Sequence, residues 1–70
     1  MNDLYLIRIV THLQMVLYID QNGYIWFPDM IDADDKPAYY TDLNKAKNHA
    51  KMYGGQVVKC VTAFELVEEA

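Results

Sequence analysis

Four aspartates within seven residues, Asp29, Asp32, Asp34 and Asp35, are the densest set of chemically capable side chains in the sequence, and Asp20 stands shortly before them. The Asp-x-Asp spacing of Asp32 and Asp34 suggests a calcium loop, but the pattern breaks at once. Counted from Asp32, position five is Lys36, the glycine position is Pro37 and the bidentate glutamate position is Leu43. A metal site is therefore not expected. The plain reading is a solvated loop, because aspartate favours turns. The functional reading is a recognition loop in which clustered carboxylates engage an Arg/Lys-rich surface, including one that grips nucleic-acid phosphates.

Other reactive residues are sparse. Serine is absent, Cys60 is the lone cysteine, and His12 and His49 fall in different elements without a ligand spacing such as His-x-x-x-His. Gly54-Gly55 follows a helix instead of opening one, so no phosphate loop is present. These residues predict neither a catalytic centre nor a cofactor. Lys45, Lys47 and Lys51 make up half of the six basic residues and lie around the polar face of one helix, with His49 and Asn48. They are ordinary helix-surface residues or, in the alternative reading, a nucleic-acid contact. Trp26, Phe27, Met30 and Ile31 cluster beside the carboxylates. They are core material, or, where Trp26 or Met30 is exposed, a protein-binding hot spot. The partner-binding candidates are thus Asp29, Asp32, Asp34, Asp35, Trp26 and Met30. The six tyrosines, at 5, 18, 24, 39, 40 and 53, pack on a sheet or enlarge that surface.

The elements that must position these residues are legible from periodicity. Residues 4–11, LYLIRIVT, alternate as a strand, and 14–19 form a second, with a tight reversal or bulge at His12-Leu13. Asp20-Gln21-Asn22-Gly23 is a hairpin signal, followed by a strand over 24–27 that Pro28 ends. Residues 28–38, PDMIDADDKPA, read as a loop with Met30-Ile31 as an exposed apolar pair, and Tyr39-Tyr40 adds a short extended piece. Thr41 stands where an N-cap belongs, and the helix runs over 42–53 with the apolar stripe Leu43, Ala46, Ala50 and Tyr53. Gly54 suits the left-handed position that stops it. The alternation over 56–67 predicts one long final strand. The expectation is a single α+β domain over 1–70, with one mostly antiparallel sheet in the order β-β-β-α-β and one helix packed on it. A two-layer domain covers one sheet face, which leaves the other as a dimer or partner surface.

Bulk numbers narrow the function. Seventy residues, 53% of them hydrophobic, hold one folded domain and leave little room for a scaffold, a cleft and a supporting shell, so an interaction module is favoured over an enzyme. The formal charge of −4 opposes non-specific phosphate affinity and favours a protein partner. A single cysteine excludes an internal disulfide and fits a reducing, cytoplasmic setting. Neither a signal peptide nor a membrane span is expected. Small size makes a homodimer a reasonable way to gain stability.

The stretch 40–59, YTDLNKAKNHAKMYGGQVVK, together with the YIDQNGY hairpin at 18–24, resembles a pattern in small proteins of bacteriophages and prophages of Gram-positive bacteria. That resemblance implies a phage origin and a role of the host-takeover or anti-defence type, anti-CRISPR proteins included. The implied activity is binding of a host protein in the bacterial cytoplasm, extending to its inhibition. A self-associating structural component of the phage is a further alternative. The shared pattern carries no functional residue with it.

Overall fold

A computed structural model describes residues 3–31, 35–62 and 65–69, the part from residue 61 onward as backbone only. The first strands are β1 (Leu4–Val10), β2 (Val16–Ile19) and β3 (Ile25–Trp26), followed by a 3-10 turn at Pro28–Met30. The helix α1 (Leu43–Tyr53) and the strands β4 (Gln56–Thr62) and β5 (Glu65–Glu69) complete the chain. The strands form one sheet in the order β3-β2-β1-β4-β5, and every pair is antiparallel. The fold is α+β with a single helix on the sheet, in the expected order up to β4. The final segment differs: it is not one strand over 56–67, because β5 returns antiparallel along β4. Alternation alone cannot reveal a reversal between Thr62 and Glu65, since no Gly, Pro, Asn or Asp marks it.

β1 and β4 occupy the centre of the sheet, and their near-continuous apolar sequence reflects burial on both faces. Tyr5, Ile7 and Val57 face α1 and pack with Ile19, Tyr40, Ala46 and Ala50. The small side chains of Ala46 and Ala50 let the helix axis lie close to the sheet. Leu6, Val58 and Cys60 point the other way, into a second cluster with Ile31. Leu4, Tyr18, Trp26 and Tyr39 pack around that cluster. The second face is therefore covered by the irregular segment between β3 and α1 and is not the open surface expected of a two-layer domain. Loop coverage has no periodicity, so the pattern of the sequence did not announce it.

Local signals explain the element ends. The helix is capped by Asp42, not Thr41: its carboxylate accepts from the backbone N–H groups of Asn44 at 2.9 Å and Lys45 at 3.3 Å. Gly54 terminates the helix at φ 73°, as expected of a left-handed stop. Gly55 has a different task. A Cβ there would lie 2.7 Å from the Arg8 carbonyl oxygen and under 3 Å from Ile7 and Ile9, so only glycine lets the chain enter β4 against β1. The β1–β2 reversal falls at His12-Leu13 as read, and it closes with Gln14 at φ 65°. The Thr11 carbonyl accepts from the Gln14 N–H, and the Thr11 hydroxyl accepts from the Met15 N–H.

Candidate functional site

The chain between β2 and α1 is organised by one buried carboxylate. Asp20 is 1% exposed, and both of its oxygens are occupied. Oδ1 accepts from the N–H groups of Asn22 (2.9 Å) and Tyr24 (3.0 Å), while Oδ2 accepts from the Trp26 indole N–H (2.9 Å) and the Ala38 N–H (3.3 Å). Four donors directed at one carboxylate make its burial tolerable. The arrangement also ties together three stretches: the hairpin turn with Gly23 at φ 83°, the strand β3, and the chain leading to Tyr40. A backbone bond from the Gln21 N–H to the Ala38 carbonyl, 2.9 Å, runs alongside. Asp20 reads in sequence as one more member of an acidic group. Its position at the head of Asp20-Gln21-Asn22-Gly23, two residues before Asn22, was the available signal for a turn-organising acceptor.

This hub fixes an apolar rim. β3 is an edge strand, and the exposed large apolar side chains along it and just beyond are Tyr24 (67%), Ile25 (54%), Phe27 (38%) and Met30 (44%). Tyr24 and Trp26 direct their backbone groups toward β2, as the bond from the Asp20 N–H to the Tyr24 carbonyl and the Tyr18–Trp26 register show. By alternation, the N–H and C=O of Ile25 point out of the sheet. The 3-10 turn contacts β2, and Ile31 just after it is buried in the second core cluster.

The structure distributes the sequence candidates unevenly. Met30 and Asp29 are exposed on the turn next to Phe27, and Asp35 is exposed as well. Asp32 and Asp34 lie outside the described residues. Trp26 is half-buried with its indole N–H held by Asp20, which makes it a support for the rim more than its exposed tip. Of the pair Met30-Ile31, only Met30 is exposed; Ile31 is buried in the second core cluster. Sequence reasoning missed Ile25, whose type suits a core and whose exposure follows only from β3 being an edge.

The lysines do not form one surface. Lys45, Lys47 and Lys51 are all exposed, but at 100° per residue Lys45 and Lys47 stand about 160° apart around α1. Only Lys47 and Lys51 share a flank. His49, on the flank of Lys45, is bonded through Nδ1 to the buried Tyr40 hydroxyl at 2.7 Å and meets the Tyr53 ring edge-on. It is part of the helix–sheet junction.

Burial pushes the Cys60 thiol up to about 12, so it stays protonated and a poor nucleophile. Burial likewise raises the hydroxyls of Tyr18, Tyr39 and Tyr40. Among the described residues no group of three or more His, Cys, Asp or Glu is placed to hold a metal ion, and no helix is long and apolar enough to cross a membrane. Compared with protein-family models, curated proteins and solved structures, the chain matches none.

Proposed function

We propose that this chain is a non-enzymatic interaction protein whose binding surface is the β3 rim and the carboxylates beside it. The observation that carries this reading is the exposure of Tyr24, Ile25 and Phe27 on and beside a sheet edge, with Asp29 and Met30 exposed on the turn that follows. Large apolar and aromatic side chains held rigidly among charges are the composition of a binding hot spot. The Asp20 bonds supply that rigidity, which lowers the ordering cost of association. The protonated, buried Cys60 and the structural engagement of His49 add support for a role without catalysis.

The finer proposal is a phage protein that binds and inhibits a host protein, in host takeover or defence evasion, and acts in the bacterial cytoplasm. It rests on the sequence resemblance alone. Capture from a bacterial lysate tests the reading, with the wild-type chain compared against a variant carrying Ile25→Ser, Phe27→Ser and Met30→Ser. A stoichiometric partner retained by the wild type and lost by the folded variant is the expected outcome. A partner held equally by both removes the rim from the account, and recovery of none counts against an interaction protein.

A further inference from the structure

The rim itself narrows what can dock on it. Residues 20–40 contain five aspartates and one lysine, Lys36, which is the whole formal excess of four negative charges; the remaining residues balance at five acidic and five basic. The edge strand lies inside this acidic segment. Its one backbone pair directed outward, the N–H and C=O of Ile25, is flanked by the exposed Ile25 side chain on the helix side of the sheet and by Tyr24 on the opposite side. Phe27 cannot extend the open pair, because its N–H is directed to the Met30 sulfur and its carbonyl accepts from the Met30 N–H.

Resting on the interaction reading above, we infer that the β3 rim takes an extended segment of a basic partner, docked as a short added strand. Two backbone bonds to Ile25 would fix its register, its apolar side chains would lie on Tyr24, Ile25 and Phe27, and its Lys or Arg side chains would meet Asp29. Strand addition draws affinity from main-chain bonds and selectivity from alternate side chains. The sign of the charge selects the occupant. A second copy brought to the same edge would set two acidic segments against each other, whereas a basic strand neutralises one.

Titration of the full chain, followed by amide NMR, tests this with capped eight-residue peptides of alternating Lys and Val. The expected result is a shift and slowed exchange at the Ile25 amide, and no response to the matching Glu/Val peptide. Peptides N-methylated at every second residue, made in both frames, separate main-chain docking from side-chain contact. One frame should bind about tenfold more weakly, the effect of losing the one hydrogen bond to the Ile25 carbonyl and of the added methyl's clash. Ile25→Pro should weaken binding as much while leaving the ladder to β2 in place, because the N–H it removes points outward. Equal binding of both methylated frames and the parent peptide overturns strand addition and leaves the interaction reading standing. No response at Ile25 to any basic peptide overturns the inference, and so does a dimer in sedimentation that Ile25→Pro abolishes. Failure of the interaction reading itself appears separately, in the lysate comparison.

Discussion

The two faces of this sheet are closed by unlike means. On one, a regular helix presents Ala46 and Ala50 to Ile7 and Val57, with an aspartate at its start and a left-handed glycine at its end. On the other, an irregular segment lays Ile31 and Tyr39 over Leu6, Val58 and Cys60, and a single buried carboxylate fastens it. A helix satisfies its own backbone and needs only a stripe of apolar residues to dock. A loop must find acceptors for its N–H groups elsewhere, and here Asp20 provides them. The second solution leaves the β3 edge uncovered, with Tyr24, Ile25 and Phe27 exposed along and beside it.

The loop-covered face depends most on Asp20. In Asp20→Asn one acceptor oxygen becomes a donor facing two other donors, either Asn22 and Tyr24 or Trp26 and Ala38. The expected loss is about 3 kcal/mol of unfolding free energy, measured by denaturant titration with Trp26 fluorescence. An unchanged midpoint would show that the loop-covered face does not depend on the carboxylate.

Alkali separates the faces next. Cys60, Tyr18 and Tyr39, all on the loop-covered side, and Tyr40 on the helix side bind their protons more tightly in the folded chain than their ordinary values of 9.0 for the thiol and 10.0 for the phenols. Their contribution to stability is complete at neutral pH and is lost as the pH rises past 9.0, where the unfolded chain ionises first. A pH titration from 7 upward should move Trp26 fluorescence before the helical circular dichroism signal; the reverse order would place the weaker face under the helix. Tyr40→Phe is a smaller perturbation, confined to the helix face. It removes the bond to His49 and should cost about 1 kcal/mol in denaturant titration. Gln14→Gly, on the hairpin distant from both covers, relieves a left-handed residue and should raise stability by about 0.5 kcal/mol in a thermal melt.

What the sequence disclosed divides along the same line. The helix was legible because capping, periodicity and a glycine stop are local signals that agree, and only the cap was displaced, by one residue from Thr41 to Asp42. The first three strands and the turn at Asn22-Gly23 were legible for the same reason, although the second and third are shorter than the expected 14–19 and 24–27, at Val16–Ile19 and Ile25–Trp26. The β5 return was hidden because it lacks a turn residue. The covered second face was hidden because Ile31, Tyr39 and Asp20 meet only in three dimensions. Of the candidate site, Asp29, Asp35 and Met30 were named from the sequence and core packing was one of two readings of Trp26, but Ile25 was not singled out, because its exposure is a property of strand order.

The proposed binding surface is the rim and not the lysine-bearing helix. Titration calorimetry against the partner recovered from lysate compares the folded variant Ile25→Ser/Phe27→Ser with Lys45→Ala/Lys47→Ala/Lys51→Ala. The first should weaken binding by about 100-fold, the effect of removing two hot-spot side chains, and the second should change it by less than about threefold. The opposite ranking would contradict it.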